Sequence, residues 1–465
     1  MTSRWHGLLL LLSAMVGWAA PAGAGCPVDG AARLRDTRQE MAERALAAAA
    51  SGDPRCVDKG LALANVLDLD PGARACAAAE ALQAGDGDLH AFRADLEWRC
   101  GRPRRAYGEA LAAIGDDPEA ALGWLVLARV LAARFRFSAA RAAAERAVAL
   151  APRSARVWFA LAEVAAERPR RRQALASYLE HAAAAGEPPE RIAGARDNLL
   201  LIDALGDRPV WVVRRREVPG RLPLEPLAGR PGTLRGWLVE IAVGGRRKVP
   251  ALLDSGASGL HLAPTALRRV PMEVLTRGTL FGGGGSGSHA VVRGLLDELR
   301  LGPLTFSSAL AVRSAGSLER HGAYQAIVGL DVLASAGVRV IVDPFTREVR
   351  LALPDAGGEE QGDPLAVDPW PEGEEGVTLY RVAGQLLVEA EVETQAERRR
   401  ALLLFDTGAS RSLIDGGLLD EMGQRFRRGS RRASAYGGQL ELLGEVPRLQ
   451  LAVGGSRRHL KGVGV

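Results

Sequence analysis

Cysteine is scarce here and confined to one end. The 465 residues hold four, Cys26, Cys56, Cys76 and Cys100. A thiol nucleophile or a cysteine-held metal is thereby excluded from everything past residue 100. Histidine offers no substitute, because His261, His289, His321 and His459 are scattered without metal-ligand spacing, and such residues read as packing or surface groups. Charge of one sign is also missing. Sixty Lys and Arg face 55 Asp and Glu, a net +5. Arginine clusters at 170–172, 398–400 and 425–428 are interleaved with acids elsewhere. They read as solvated surface, which argues against a nucleic-acid partner. No Gly-Lys-Ser or Gly-Lys-Thr follows the glycine run at 282–287, so it is not a phosphate loop. Gly256-Ala257-Ser258-Gly259 lacks the Gly-x-Ser-x-Gly pattern of a serine nucleophile elbow.

Long apolar runs are equally rare. Leu8 to Ala20 gives 13 residues, too few to span a bilayer. With Arg4 before it and Ala22-Gly23-Ala24 after it, residues 1–24 read as a secretory signal. An exported bacterial protein, periplasmic or extracellular, is expected. Cys26 follows the cleavage site, so a lipid anchor there is weighed; Gly23 rather than Leu three places earlier argues against it. In an oxidising compartment the four cysteines suit two disulfides, with three connectivities open.

What is present is patterned. An apolar share of 47% and a charged share of 25% fit an ordinary globular chain. The length calls for two or three domains. Residues 25–206 are rich in Ala, Leu, Arg and Glu with helical periodicity, broken at Gly52-Asp53-Pro54 and Asp116-Asp117-Pro118. Trp124 and Pro118 recur 34 residues later as Trp158 and Pro152. Leu127, Ala128, Leu131, Ala140, Ala144 and Ala147 occupy packing positions, echoed by Leu161, Ala162, Ala165, Ala174 and Tyr178. Small residues let paired helices approach, and Trp and Leu fill the space between pairs. The segment 121–186 resembles tetratricopeptide repeats. That resemblance implies a face for a protein partner; plain helical packing is the alternative.

After Arg208 the chain reads as all-β, and it repeats itself. Leu238-Val239-Glu240 recurs as Leu387-Val388-Glu389, Asp254 as Asp406, and Gly294 as Gly444, at offsets of 149, 152 and 150. Asp254-Ser255-Gly256-Ala257-Ser258 and Asp406-Thr407-Gly408-Ala409-Ser410 each follow an apolar run. A lone Asp-x-Gly turn is weak. Two at equivalent points of a duplicated unit are a strong sign that two carboxylates meet, which is the equipment of acid–base hydrolysis.

In the first copy the turn is followed by Phe281-Gly282-Gly283-Gly284, then by Ile327-Val328-Gly329. This succession resembles a lobe of the aspartic proteases, the retropepsin-like group above all. The resemblance implies an all-β bilobal acid-protease-like domain behind an all-α repeat domain. Lobe 1 would span 232–353 and lobe 2 377–465, with linkers at 207–231 and 354–376. It implies Asp254 and Asp406 as a catalytic dyad activating water on a peptide or protein substrate, without metal or cofactor. Ser255, Gly256, Ser258, Thr407, Gly408 and Ser410 would support the dyad. Phe281, Gly282, Gly283, Gly284 and, in lobe 2, Tyr436, Gly437 and Gly438 would form flaps over substrate. Ile327, Val328 and Gly329 would be structural. Ala257 and Ala409 stand where pepsin-like lobes often carry a hydroxyl, so a pH optimum less acidic than a gastric enzyme's is expected.

The second copy departs from the pattern. Only 11 residues follow Gly454, so a partner to Ile327-Val328-Gly329 would fall near residue 479, past Val465. The stretch Val210-Trp211-Val212-Val213 is a candidate stand-in. Three readings follow: a peptidase with an intrachain Asp254/Asp406 dyad, a non-catalytic peptide-binding scaffold, or a peptidase whose dyad forms between two chains through Asp254.

Overall fold

A computed structural model describes residues 25–67, 75–82, 86–228, 234–281, 288–314, 318, 322–354, 377–382, 384–394, 397–409, 411–435 and 438–465. The expected leader, the joint from 355 to 376, Gly282, Gly283, Gly284, Ser410, Tyr436 and Gly437 lie outside these residues. The chain divides into two compact units at Pro188.

The first unit is helical: α1 (Arg38–Ala49), α2 (Pro54–Val66), α3 (Ala75–Ala81), α4 (Gly87–Arg99), α5 (Pro103–Asp116), α6 (Ala121–Ala133), α7 (Phe137–Leu150), α8 (Ala155–Val164) and α9 (Arg168–Ala182). Local chemistry sets the starts. Thr37 and Glu40 form a reciprocal capping box on α1, and Asp86 accepts from Leu89 N at 2.9 Å to cap α4. The 34-residue spacing reappears as a repeated bond. Trp124 Nε1 donates to Pro118 O at 3.0 Å, and Trp158 Nε1 to Pro152 O at 2.7 Å. Ala140, Ala144, Ala147, Ala174 and Tyr178 are fully buried, as close helix packing requires. Disulfides pair Cys26 with Cys56 and Cys76 with Cys100. The first uses the sulfur that a lipid would need. No helix among the described residues is long and apolar enough to cross a membrane.

A buried carboxylate sits in this unit. Asp95 meets Arg99 Nε at 3.0 Å, Arg129 Nη1 at 3.2 Å and Arg156 Nη2 at 2.6 Å. Burial pushes its pKa up, but the three guanidiniums outweigh that and hold it below the ordinary value. Asp95→Ala leaves these cations with no shared counter-ion. The expected cost is about 3–5 kcal/mol in urea unfolding; a change within experimental error would refute this role.

The second unit opens with α10 (Pro189–Leu205). Expected as part of the helical domain, it instead packs on the β unit. Asp197 accepts from Thr279 N at 2.8 Å, and its carbonyl accepts from Arg293 Nη1 at 3.1 Å. Lobe 1 follows: β1 (Val212–Arg216), β2 (Gly220–Pro223), β3 (Glu225–Ala228), β4 (Leu234–Val243), β5 (Arg247–Asp254), β6 (Leu260–Leu262), β7 (Glu273–Phe281), β8 (Ser288–Leu301), β9 (Leu304–Ser314), β10 (Ala326–Gly329), α11 (Leu330–Ala334), β11 (Arg339–Asp343) and β12 (Glu348–Ala352). The main sheet runs β1-β9-β6-β10-β5-β4-β8-β7, with β3 on β4; β11-β12-β2 is a second, smaller sheet. Two sequence expectations are corrected here. Residues 207–231 are no linker, because β1, β2 and β3 pair with β9, β12 and β4. For the same reason the stretch from Val210 to Val213 does not complete lobe 2: β1 is spent on lobe 1.

Lobe 2 comprises β13 (Leu379–Val382), β14 (Gln385–Glu393), β15 (Arg398–Leu404), α12 (Gly416–Glu421), β16 (Arg427–Ala435), β17 (Gly438–Val453) and β18 (Ser456–Gly464). Its sheet repeats that of lobe 1: β14 pairs with β15 and β17 as β4 pairs with β5 and β8. Register shifts between Val274 and Thr276 and between Arg428 and Arg431 place a bulge in the same hairpin of each lobe. Apolar residues build the cores: Ile241, Leu253, Leu296 and Phe306 in lobe 1, with a second cluster of Leu252, Ala263, Leu318 and Ile327, and Val392, Leu419, Val446 and Val463 in lobe 2.

Candidate active site

Asp254 is the last residue of β5, and Asp406 comes two residues after β15 ends. In each case an apolar strand anchors the chain and a glycine lets it turn at once. Gly256 N donates to Asp254 Oδ1 at 2.8 Å, and Gly408 N to Asp406 Oδ1 at 2.8 Å. Ala409 N adds a bond to Asp406 Oδ1 at 2.9 Å.

The two turns are tied by an exchange of hydroxyl bonds. Ser255 N donates to Thr407 Oγ1, and Thr407 N to Ser255 Oγ, both at 3.0 Å. Each hydroxyl then donates to the residue before the opposite aspartate: Ser255 Oγ to Phe405 O at 2.6 Å, Thr407 Oγ1 to Leu253 O at 3.0 Å. A near-twofold lock results from the duplicated sequence. It leaves no space at the glycines, since a Cβ on Gly256 would stand 2.8 Å from Asp406 Cγ, and one on Gly408 2.6 Å from Asp254 Cγ. Removing a hydroxyl orphans a donor and an acceptor together. Thr407→Val should cost about 1–3 kcal/mol in urea unfolding and Thr407→Ser little; equal stability of both variants would contradict the lock.

The Asp254 and Asp406 carboxyls act on each other, and the environment of Asp254 shifts its titration. Burial, then the neighbouring Asp406 charge, push its pKa up to about 7, against the pull of the Gly256 and Ala257 N–H groups. Burial and the Asp254 charge also raise the phenol of Tyr324, which packs against the cluster of Leu252, Ala263, Leu318 and Ile327.

Several supporting residues carried no role in the sequence reading. Asp331 follows the Ile327-Val328-Gly329 strand and accepts from Ser258 Oγ at 2.7 Å and Gly259 N at 2.9 Å. Ser258 is therefore held away from the dyad, bracing the turn. His261 is buried, its Nε2 donating to Ser258 O at 2.9 Å, and burial lowers its pKa. Gln385 Nε2 reaches Gly256 O at 3.5 Å from lobe 2. The strand after Asp254 announced Asp331 by proximity alone; nothing in the sequence announced Tyr324 or Gln385.

Ile327, Val328 and Gly329 lie level with Leu252, Leu253 and Asp254 in a parallel pairing of β10 with β5. Phe281 pairs with Ser288 at the end of the β7–β8 hairpin, and Gly438 with Ala435 at the end of β16–β17. The expected flap tips between them, and Ser410, are outside the described residues. Among those residues no group of three His, Cys, Asp or Glu side chains converges to hold a metal.

Two β lobes of shared topology, each setting an aspartate on a glycine turn, make this an acid-protease-like bilobal domain behind a helical repeat. Residues 239–332 match the family described as Aspartyl protease, and residues 121–164 the one described as Tetratricopeptide repeat. The first match includes Asp254, ends within α11 and does not extend over lobe 2. No curated protein matches the chain.

Proposed function

We propose that the chain is an exported aspartic endopeptidase using Asp254 and Asp406 of one molecule. The observation that carries this is the reciprocal hydroxyl lock, which holds the two aspartate turns against each other. Two carboxyls brought together by such a lock hold one proton between them. Asp254, which burial and the neighbouring charge push up to about 7, keeps that proton. Asp406, with the Gly408 and Ala409 N–H groups on Oδ1, is the base. It draws a proton from a water that attacks the scissile carbonyl, while Asp254 donates to the carbonyl oxygen. As the tetrahedral gem-diol collapses and its C–N bond breaks, Asp406 passes the proton it took from water to the leaving amine, and a gem-diol hydroxyl returns a proton to Asp254, restoring the dyad. Neither metal nor covalent intermediate is needed. A signal-like leader and two disulfides in the helical unit support export.

The test is digestion of an unfolded protein by the purified chain between pH 3 and 8, with products read by mass spectrometry. New termini whose formation is blocked by pepstatin, a mimic of the tetrahedral intermediate, are expected. Absence of such cleavage at every pH would overturn the proposal in favour of a peptide-binding scaffold.

A further inference from the structure

The turn that carries Asp254 is held at both of its ends. At the near end, Gly256 N donates to Asp254 Oδ1 at 2.8 Å, and the Ala257 N–H also acts on that carboxyl. The far end, Ser258 and Gly259, is gripped by groups from β6, β10 and α11. Asp331 Oδ2 accepts from Ser258 Oγ at 2.7 Å, and both Asp331 oxygens accept from Gly259 N, at 2.9 and 3.0 Å. Gly329 N donates to Gly259 O at 2.9 Å, and His261 Nε2 to Ser258 O at 2.9 Å.

The two sets of bonds lie on four consecutive residues, 256–259. A planar peptide leaves two rotations per residue, so fixing 258 and 259 constrains where the N–H groups of 256 and 257 point. The fold makes room for this grip. Gly329 is level with Asp254 in the pairing of β10 with β5. A Cβ there would press on Asp331 Oδ1 and stand 2.6 Å from Ala257 O. The turn offers Asp331 an O–H and an N–H, and a carboxylate has acceptors enough for both.

We propose that Asp331 is a positioning residue for the cleavage argued above: it acts through Ser258 and Gly259 to keep the Gly256 and Ala257 N–H groups on the Asp254 carboxyl. Its kinetic consequence rests on that peptidase reading; the bracing of the carboxyl does not.

Loss of the brace has a sign. N–H groups aimed at a carboxylate favour its charged form, so a loosened turn raises the Asp254 pKa further. Loss of the Asp331 charge alone would act the opposite way, because a nearby negative charge favours the protonated form. Asp406, on the turn after β15, and Tyr324, ahead of β10, also interact electrostatically with Asp254, and His261 meets the same turn from β6. A change at 331 leaves all three in place.

The test follows the Gly256 amide by NMR through a pH titration of the full chain labelled with 15N-glycine. This amide reports the ionisation of Asp254 whether or not the chain cleaves peptides, and Asp254→Asn, which abolishes the titration, identifies its signal. Asp331→Ala should move the midpoint up by about half a pH unit or more. Asp331→Asn, which keeps an acceptor for Gly259 N, should bring the midpoint back. In the cleavage assay Asp331→Ala should lower kcat by about ten- to hundredfold with KM held within about twofold. The fall of kcat/KM above neutrality should move to higher pH. Ser258 is exposed, so Ser258→Ala should fold; it cuts one tie and should give a smaller upward shift. An unmoved or lowered midpoint in a folded Asp331→Ala would overturn the inference. Should circular dichroism show Asp331→Ala unfolded, the absence of an upward shift in Ser258→Ala would overturn it. Absence of cleavage by the unsubstituted chain would instead sink the peptidase reading, and the amide titration would still decide whether Asp331 braces Asp254.

Discussion

Asp254→Asn and Asp406→Asn are each expected to lower kcat/KM on an unfolded protein substrate by about 10³-fold or more. The size follows from the roles. An amide neither takes a proton from water nor donates one to a carbonyl oxygen as a carboxylic acid does. The substitution is nearly isosteric, and Asn Oδ1 still accepts from Gly256 N or Gly408 N. Loss of activity therefore comes without loss of the turn, and far-UV circular dichroism should be unchanged. The outcomes separate three mechanisms. Both variants inactive fits one dyad within the chain. Asp254→Asn inactive and Asp406→Asn active would move the dyad to a pair of chains. Full activity in both would assign the cleavage to a contaminant. Mixing the two inactive variants adds a check, because an intrachain dyad is not restored by mixing.

How much of this was legible before the structure depends on the range of the interactions. Local signals carried well. The Trp and Pro spacing in the helical unit became an indole bond repeated in register. The duplicated Asp-x-Gly strings became duplicated turns, and the constant offset became a shared strand order. What failed was decided by distant partners. Residues 212–228 are short, Arg- and Glu-rich, and interrupted by proline, so in isolation they resemble a linker; they are strands because β9, β12 and β4 offer edges. α10 has helical periodicity like its predecessors, and it is the bonds of Asp197 with Thr279 N and Arg293 Nη1 that assign it to the β unit. Asp331 earns its role from a turn 72 residues earlier in the chain. The inequality of the lobes was legible as a difference in length. In the fold, β15 pairs with β14 and has no further strand partner among the described residues.

Stability should fall as pH rises from about 4 to about 7, and Asp254→Asn should remove much of that fall. The sign follows from the shift. Asp254 has an ordinary value of 3.8 and is pushed up to about 7 in the fold. Between those limits the native state keeps a proton that the unfolded chain releases. Raising pH therefore favours unfolding until the native carboxyl also ionises, and the slope vanishes above about 7. Three units at 1.36 kcal/mol each give a ceiling of about 4 kcal/mol; relaxation of the pair reduces this, and on the order of 2 kcal/mol is the expected loss. Urea unfolding at pH 4.5 and pH 8 measures it, with Asp254→Asn as the reference lacking the titration. The two causes can be told apart. Burial is the largest single cause, so Asp406→Asn, which removes the neighbouring charge, should keep part of the slope. If Asp406→Asn flattens the profile as fully as Asp254→Asn, repulsion rather than burial dominates. If neither changes it, Asp254 does not hold the proton. The same titration limits activity: kcat/KM should fall above about pH 7 as the shared proton leaves. A free carboxyl retained near neutrality also places the optimum well above that of a gastric enzyme, as expected where Ala257 and Ala409 bring no hydroxyl to stabilise the charge. An optimum near pH 2 would contradict both the raised pKa and the proton assignment built on it.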